Sequence, residues 1–377
     1  MIRPTLARID LDALKSNYRR IVEYLAAEAG DRTPSVIAVV KANAYGHGAG
    51  QVALALEEAG ADLVACADIE EGHALREAGV GAEILVFGAL SVSDLDGLFD
   101  CRLTPTISTP GAARAVQAAA RRYNQRLRYH LKIDTGMNRL GFRHDNLDRT
   151  LPEVAANQNL AVDAVYTHFA TADAPDHPAF ADQRVRFDDA CARLPALGIP
   201  VRSRHAANSA ALLRDERVWY DFVRPGLLLY GVVPPPLAAT IPLRPALSLH
   251  SRIVAVKGLR PGEGLGYGLR DGAEAVRTIA VVPAGYADGL DLRLAGRGHM
   301  LVRGHRAPVV GSVCMDMSMI DVTGMDVAPG DEVLIVGARS PESIGVREIA
   351  AAIGTIPYEL LCRVGARIER RYDEPGE

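Results

Sequence analysis

The chain has 377 residues, of which 49% are hydrophobic and 23% charged, and its formal net charge is -4. This balance leaves no basic surplus for nucleic acid, and no apolar run reaches the roughly 18 residues of a membrane-spanning helix. Asp10 and Asp12 stand where a secretory signal would be apolar, so we expect a cytoplasmic protein that acts on small molecules. The five cysteines are scattered without a C-x-x-C pair, which predicts neither a disulfide framework nor a metal site.

The chain begins with a predicted strand at residues 5–10 and a predicted helix at 11–28, after which strands and helices alternate. The predicted strands are residues 36–40, 63–67, 83–87, 103–107, 127–133, 162–168, 201–205 and 221–223. The predicted helices between them are residues 50–59, 70–78, 91–99, 110–122, 147–157 and 178–197. This order predicts an α/β fold whose parallel sheet closes into a (β/α)8 barrel, with an open doubly wound sheet as the alternative.

Three consecutive prolines at residues 234–236 exclude both a helix and a central strand, and we place a domain boundary there. The remainder is strand-like and rich in turns. Its predicted strands are residues 247–256, 276–282, 300–302, 308–313, 319–322, 332–336 and 363–371, and its predicted helix is 346–353. We therefore expect a barrel over residues 11–235 and a mainly β domain over 236–377, with a separate N-terminal strand over 1–10.

Polar side chains gather at the predicted strand ends. Lys41 directly follows the apolar run at residues 36–40. The others are Lys132, Asp134, Arg139, His168, Asn208, Ser209 and Arg224. Because barrel enzymes build their active sites at the carboxyl ends of the strands, we expect these side chains to meet. The alternative for Lys41 is a surface lysine that caps its strand.

Ser209 and Gly226 suit a bound anion. A serine at a helix start and a glycine turn both present backbone N–H groups, which bind phosphate well. A lysine that can form an imine beside a phosphate site indicates pyridoxal phosphate. Each cap taken alone favours a structural role over anion binding.

Nine segments, in this order and across nearly the whole chain, resemble those of the alanine racemases, a pyridoxal phosphate-dependent family of fold type III. They are AVVKANAYGHG, LKIDTGMNRLGF, THFATAD, HAANSAA, RPGLLLYG, GLGYG, GYADG, GSVCMDM and TIPYELLC. The resemblance implies a cytoplasmic homodimer that interconverts L- and D-alanine and supplies D-alanine for peptidoglycan. It also implies that the N-terminal strand joins the β domain.

By this resemblance Lys41 is the Schiff-base lysine and one catalytic base, and Tyr267 is the second base, supplied by the partner subunit. Two bases are required because the α-proton leaves one face and another returns to the opposite face. A tyrosine ordinarily titrates near pH 10, so a tyrosine base needs help from charged or hydrogen-bonding neighbours. The resemblance assigns this tuning to His168, backed by Arg224.

The resemblance also implies the binding residues. Those for the cofactor are Lys41, Tyr45, Asn208, Ser209, Gly226, Leu227 and Tyr358, with Arg224 facing the pyridine nitrogen. Arg139 lies near the substrate carboxylate and is held by Lys132, which is carbamylated in some relatives. The partner would supply the backbone N–H of Met315 to that carboxylate and Tyr286 to the substrate entrance.

Three alternatives remain at this stage. Leu290 and Asp291 stand where an aromatic residue and a proline are common in relatives, which leaves a racemase of broader specificity open. A related decarboxylase is expected to have an acidic residue where Arg224 stands. A non-catalytic pyridoxal phosphate-binding protein would resemble the barrel alone, without the domain that carries Tyr267.

Leu85 and Phe87 either line the cofactor or belong to the core.

Overall fold

The computed structural model describes residues 4–90, 94–339 and 341–373, and these residues form two compact units. The barrel unit comprises Leu14–Ala44 and Ala49–Leu243. The β unit comprises the described residues up to Ala13, the short segment Tyr45–Gly48, and the described residues from Arg244 onward.

The strands of the described residues are β1 Leu6–Asp10, β2 Ser35–Val39, β3 Leu63–Cys66, β4 Glu83–Val86, β5 Leu103–Ile107, β6 Leu127–Asp134, β7 Phe142–Arg143, β8 Leu160–Tyr166, β9 Ser203–Asn208, β10 Phe222–Arg224, β11 Leu247–Arg252, β12 Ala255–Leu259, β13 Arg277–Val282, β14 His299–Val302, β15 His305–Val310, β16 Ser318–Asp321, β17 Glu332–Arg339, β18 Glu342–Ile344 and β19 Glu369–Asp373. Apart from a turn at Lys41–Tyr45, the helices are Leu11–Ala29, Ala49–Glu58, Ile69–Glu77, Asp96–Asp100, Pro110–Arg122, Leu147–Ala155, Ala179–Arg193, Ser209–Arg214, Val346–Ile353 and Pro357–Cys362.

Parallel strands close the barrel unit into a ring. Their order is β5, β4, β3, β2, β10, β9, β8 and β6, and the pairing of β5 with β6 completes the circle. The short strand β7 lies beside β6. The predicted (β/α)8 barrel is confirmed, and the open sheet is wrong.

The apolar run in β2 is buried on both faces, as its lack of polar alternation predicts. Ile37 packs with Ala65 and Leu85 in a core cluster, against which Phe87 is packed. The helix at Pro110–Arg122 begins where predicted because Thr109 accepts a hydrogen bond from the Ala112 N–H and Pro110 fits the first turn. Of the helix predicted at residues 91–99, residues 91–93 lie outside the described part, and the helix found there is Asp96–Asp100.

The β unit contains one large sheet, in the order β12, β13, β16, β15, β14, β17, β11, β1 and β19, with β18 paired to β17. The N-terminal strand β1 lies inside this sheet. Leu6 faces His250 in the antiparallel strand β11 and Glu369 in the parallel strand β19. The first residues of the chain therefore complete the sheet of the C-terminal part.

Two predicted strands of the β unit are wrong in extent. The strand predicted at 247–256 is two strands, because β11 pairs with β1 and β17 whereas β12 pairs with β13. The strand predicted at 363–371 begins only at Glu369, after the unpredicted helix Pro357–Cys362 and a turn. Gly365 in that turn donates its N–H to the carbonyl of Asp288 at 3.1 Å.

The segment Tyr45–Gly48 belongs to the β unit through very close packing. A Cβ atom on Gly46 would lie 2.2 Å from the carbonyl oxygen of Leu361, and one on Gly48 would lie 1.9 Å from the phenolic oxygen of Tyr372. The Arg370 guanidinium donates to the Gly46 carbonyl at 2.7 Å. Only glycine fits at residue 46, because a side chain there would collide with the Leu361 carbonyl oxygen, a backbone atom that cannot rotate away.

We predict that Gly46→Ala lowers the free energy of unfolding by at least about 2 kcal/mol, since its φ of +82° and the Leu361 carbonyl both oppose a side chain. The matched control is Gly354→Ala in the same unit, where φ is +69° but nothing lies within 4 Å. That variant should lose only about 1 kcal/mol. Urea unfolding measures both, and equal losses would contradict the packing account.

Candidate active site

The carboxyl ends of the barrel strands carry most of the residues singled out in the sequence. Lys41 follows β2, Lys132 lies near the end of β6, and His168 follows β8. Asn208 ends β9 and Arg224 ends β10. Because all these strands are parallel, the structure places these residues at one end of the barrel.

The turn after Lys41 has an unusual left-handed backbone. Ala42, Asn43, Ala44 and Tyr45 all have φ between 52° and 53°, a region that costs a non-glycine residue roughly 1–2 kcal/mol. Hydrogen bonds compensate part of this cost. The Glu71 carboxylate accepts from the Ala42 N–H at 2.6 Å, and the Asn43 side chain accepts from the Ala49 N–H at 2.8 Å. Such strain persists where the surroundings enforce it and is common at active sites.

Ser209 draws together the two segments that are predicted to bind an anion. Its hydroxyl oxygen accepts hydrogen bonds from the N–H groups of Gly226 at 2.9 Å and Leu228 at 3.4 Å. Asn208 caps the helix Ser209–Arg214, because its side chain accepts from the Ala211 N–H at 2.9 Å. The structure therefore brings Ser209 and the Gly226 turn together, and the Asn208 side chain serves as the N-cap of the helix.

Arg224 is a buried cation, 4% exposed, held by neutral groups. It donates to the carbonyls of Thr167 and Ala206, both at 2.9 Å, and to ring nitrogens of His205 at 2.7 Å and His168 at 3.2 Å. In the described part of the chain no carboxylate forms a salt bridge with it. Burial lowers the pKa of Arg224 to about 10, so it stays charged at neutral pH.

The contacts of Arg224 fix the protonation of three histidines. Since a guanidinium only donates, Nδ1 of His168 and Nδ1 of His205 both accept, and each neutral ring carries its proton on Nε2. His205 Nε2 then donates to His130 Nδ1 at 2.9 Å. Burial and the Arg224 charge lower the pKa of His168 and His205 well below the usual value, and that of His130 to about 3.

Lys132 is another buried basic side chain at this end of the barrel. It is 6% exposed, and its amine lies 5.4 Å from the ring centre of Tyr166. Burial, followed by the nearby charge of Arg139, lowers the pKa of Lys132 to about 8. Arg139 is exposed on the loop after β6, which Asp134 shapes by accepting from the N–H groups of Gly136 and Asn138.

The remaining predicted residues lie in the β unit. Tyr45 is buried, which raises the pKa of its phenol, and its ring centre lies 5.8 Å from that of Tyr358. Tyr267 is 78% exposed at the tip of a hairpin, where Ser312 donates to its carbonyl at 2.7 Å. Tyr267 and Met315 line one cavity of about 470 Å³. Tyr286 is also exposed.

Sequence reasoning missed His130 and His205. Both lie inside strands, and His205 begins the HAANSAA segment, so its place near a strand end was an available signal. His130 stands two residues before Lys132 in β6, which puts both side chains on the same side of that strand. Their contact with each other depends on strands far apart in the chain.

The described residues contain no helix long and apolar enough to cross a membrane. Among those residues, no group of three or more histidine, cysteine or acidic side chains could hold a metal ion.

Comparison with known proteins gives one consistent family. A family model for the alanine racemase N-terminal domain matches residues 9–234, and one for the alanine racemase C-terminal domain matches residues 246–372. The alanine racemase of Carboxydothermus hydrogenoformans is 41% identical over 98% of this chain and 100% of its own length. That of Symbiobacterium thermophilum is 39% identical, covering 98% and 97%.

Solved structures agree. The alanine racemase from D-cycloserine-producing Streptomyces lavendulae superposes with a TM-score of 0.93 at 35% identity, over 99% of this chain and 97% of that one. The alanine racemase from Bartonella henselae with covalently bound pyridoxal phosphate gives a TM-score of 0.86 at 26% identity, over 98% and 99%.

We predict that Lys132 makes the folded state less stable at neutral pH than at high pH. Its pKa is about 8 when folded and about 10.4 when unfolded, so the unfolded chain binds more protons between these values and stability rises with pH. The gain from this residue is about 3 kcal/mol. Urea unfolding at several pH values, in buffer free of carbon dioxide, should show this rise in the wild type. The Lys132→Met variant should lack that part of the slope, and parallel curves would contradict the prediction.

Proposed function

The chain belongs to the alanine racemase family, which confirms the resemblance of its motifs, and from that premise we propose that it interconverts L- and D-alanine using pyridoxal 5'-phosphate. We further propose that it acts in the cytoplasm and supplies D-alanine for peptidoglycan. The single observation that carries the mechanism is the buried Arg224, charged and without a carboxylate salt bridge among the described residues.

The residues at the barrel end fit this cofactor. Pyridoxal phosphate is anionic at its phosphate and its phenolic oxygen, and Arg139 and Arg224 supply positive charge. The Ser209 hydroxyl, whose oxygen accepts the Gly226 N–H, keeps its own hydrogen to donate to the phosphate, and we assign the Gly226 turn to the same group. Lys41 supplies an amine at a strand end for covalent attachment, and Tyr45, Leu227 and Tyr358 are assigned to the phosphate with Asn208 beside them.

When bound, the cofactor withdraws electrons from the substrate's α-carbon and so makes its α-proton acidic. Racemisation then needs a proton acceptor on one face of that carbon and a proton donor on the other. We assign these roles to the Lys41 amine and to the phenol of the partner subunit's Tyr267. The barrel's His168 carries its proton on Nε2, which suits it to donate to that phenolic oxygen and stabilise its charged form.

Arg224 would face the pyridine nitrogen of the cofactor. Because an arginine beside this nitrogen remains charged, it disfavours a proton there. A decarboxylase with an acidic residue at this position would favour that proton. The assignment to racemisation therefore depends on Arg224 together with Lys41.

We propose a homodimer in which each site combines the barrel unit of one subunit with the β unit of the other. An exposed apolar surface supports this, since Tyr267 is 78% and Leu269 73% exposed, and Met315 and Met317, which line the same cavity as Tyr267, are exposed as well. Exposed apolar patches of this kind mark interaction sites.

The substrate carboxylate is assigned to Arg139 and to the backbone N–H of the partner subunit's Met315, and the entrance to the partner subunit's Tyr286. Lys132 would hold Arg139 after carbamylation, which requires a neutral amine. Its pKa of about 8 makes that form accessible near neutral pH.

The test is chiral chromatography after incubation of the holoenzyme with L-alanine, L-serine or L-lysine. We expect D-alanine to form, with alanine preferred over the other two substrates. A product lacking its carboxyl group would indicate a decarboxylase, and comparable rates with serine or lysine would indicate broader specificity. Absence of any product would favour a non-catalytic cofactor-binding protein.

The same assay in deuterated water, run in both directions, tests the two bases. Tyr267→Phe should slow conversion by at least about 100-fold in both directions, the usual contribution of a general base. Solvent deuterium should still enter the enantiomer that Lys41 deprotonates, and should enter the other enantiomer far more slowly. The matched control is Tyr123→Phe, since Tyr123 stacks on Phe99 in the barrel unit and has no assigned role. A minor loss of racemisation, with deuterium entering both enantiomers at similar rates, would refute the two-base scheme.

A further inference from the structure

Two turns of the β unit are locked together backbone to backbone. The Tyr286 N–H donates to the Cys314 carbonyl at 2.9 Å, and the Ala287 N–H donates to the Met315 carbonyl at 3.1 Å. A Cβ atom on Gly285 would lie 2.3 Å from both carbonyl oxygens, so glycine is needed for this approach.

This contact sets the direction of the Met315 N–H. That group shares a trans peptide plane with the Cys314 carbonyl, and in such a plane the N–H points opposite to the C=O. Because Tyr286 holds the Cys314 carbonyl, the Met315 N–H points away from the turn at residues 285–288.

A single guanidinium connects both turns. Arg367 donates to both carboxylate oxygens of Asp288, at 2.7 and 3.1 Å, and to Asp316 at 2.8 Å. It also donates to the Met315 carbonyl at 3.2 Å. Asp288 is fully buried and accepts the Gly285 N–H at 2.9 Å, so it shapes the turn from inside.

The charge of Arg367 is already matched by two carboxylates, which leaves it poorly suited to bind a further anion. Its bond to the Met315 carbonyl instead holds the peptide group after Met315, while the Tyr286 N–H holds the peptide group before it. The motifs GYADG and GSVCMDM each contribute one of its acidic partners, Asp288 and Asp316, although neither acid has a role in the reaction.

We propose that Arg367 is a positioning residue for substrate binding: by tying Asp288, Asp316 and the Met315 carbonyl together, it aims the Met315 N–H at the substrate carboxylate. This inference rests on the proposed function, which assigns that N–H to the carboxylate. Arg367 itself touches no substrate.

The test is Arg367→Lys in the holoenzyme. A lysine keeps the positive charge beside the buried Asp288, but a single ammonium cannot reproduce the planar fork that reaches all three partners. We expect the KM for L-alanine to rise about tenfold, the loss of one well-oriented hydrogen bond, with kcat within about twofold. The inhibition constant of propionate, which has the carboxylate without the amine, should rise by the same factor.

The matched control is Arg371→Lys, since Arg371 lies four residues further on and its side chain pairs, within the described part of the chain, with the exposed Glu369. It should leave KM and propionate inhibition unchanged. Asp316→Ala removes one exposed hydrogen-bond acceptor of Arg367 and leaves Asp288 in place. It should also raise the KM for L-alanine, by about threefold. It carries the test if Arg367→Lys does not fold.

A variant that melts at lower temperature but keeps the wild-type KM and propionate inhibition would overturn the proposal and leave Arg367 a purely structural role. Failure of the proposed function looks different, because the wild-type protein itself would then form no D-alanine.

Discussion

The buried guanidinium of Arg224 is the constraint on which the rest of the barrel end depends. A charge removed from water without a carboxylate is expensive, and among the described residues the hydrogen-bond partners of this one are carbonyls and histidine rings. Because these partners must accept, His168, His205 and His130 are each held in one neutral form. The cost of burying this charge makes sense if an anionic ligand with an acceptor nitrogen completes the site.

The stretch from Lys41 to Gly48 carries the second constraint. It follows the buried strand β2 and has left-handed backbone at four residues. The glycines after them pack so closely within the β unit that a side chain would collide with its neighbours. Lys41 is therefore presented by a strained turn whose shape is enforced from both ends.

Much of this could be predicted from the sequence, where local signals are strong. The apolar run before Lys41 predicts a buried strand, and the helix at Pro110–Arg122 has a capping threonine and a proline at its start. The left-handed turn could not be predicted, because Ala42, Asn43 and Ala44 contain no glycine to signal it. The helix at Pro357–Cys362 has a start signal, the proline in its first turn. The strand-like residues that flank it hide this signal. The histidine chain depends on the order β10, β9, β8 and β6 around the barrel, in which β8 separates the strands of His205 and His130, and no local sequence signal gives that order.

The proposed placement of Arg224 at the ring nitrogen, in place of an acid, should limit how far charge spreads into the ring, which favours prompt return of a proton over side reactions. The most direct test is a nitrogen-15 spectrum of the holoenzyme reconstituted with ring-labelled pyridoxal phosphate, across the pH range where the free cofactor's ring nitrogen titrates. The account predicts the signal of an unprotonated pyridine throughout that range. A pyridinium signal would contradict it.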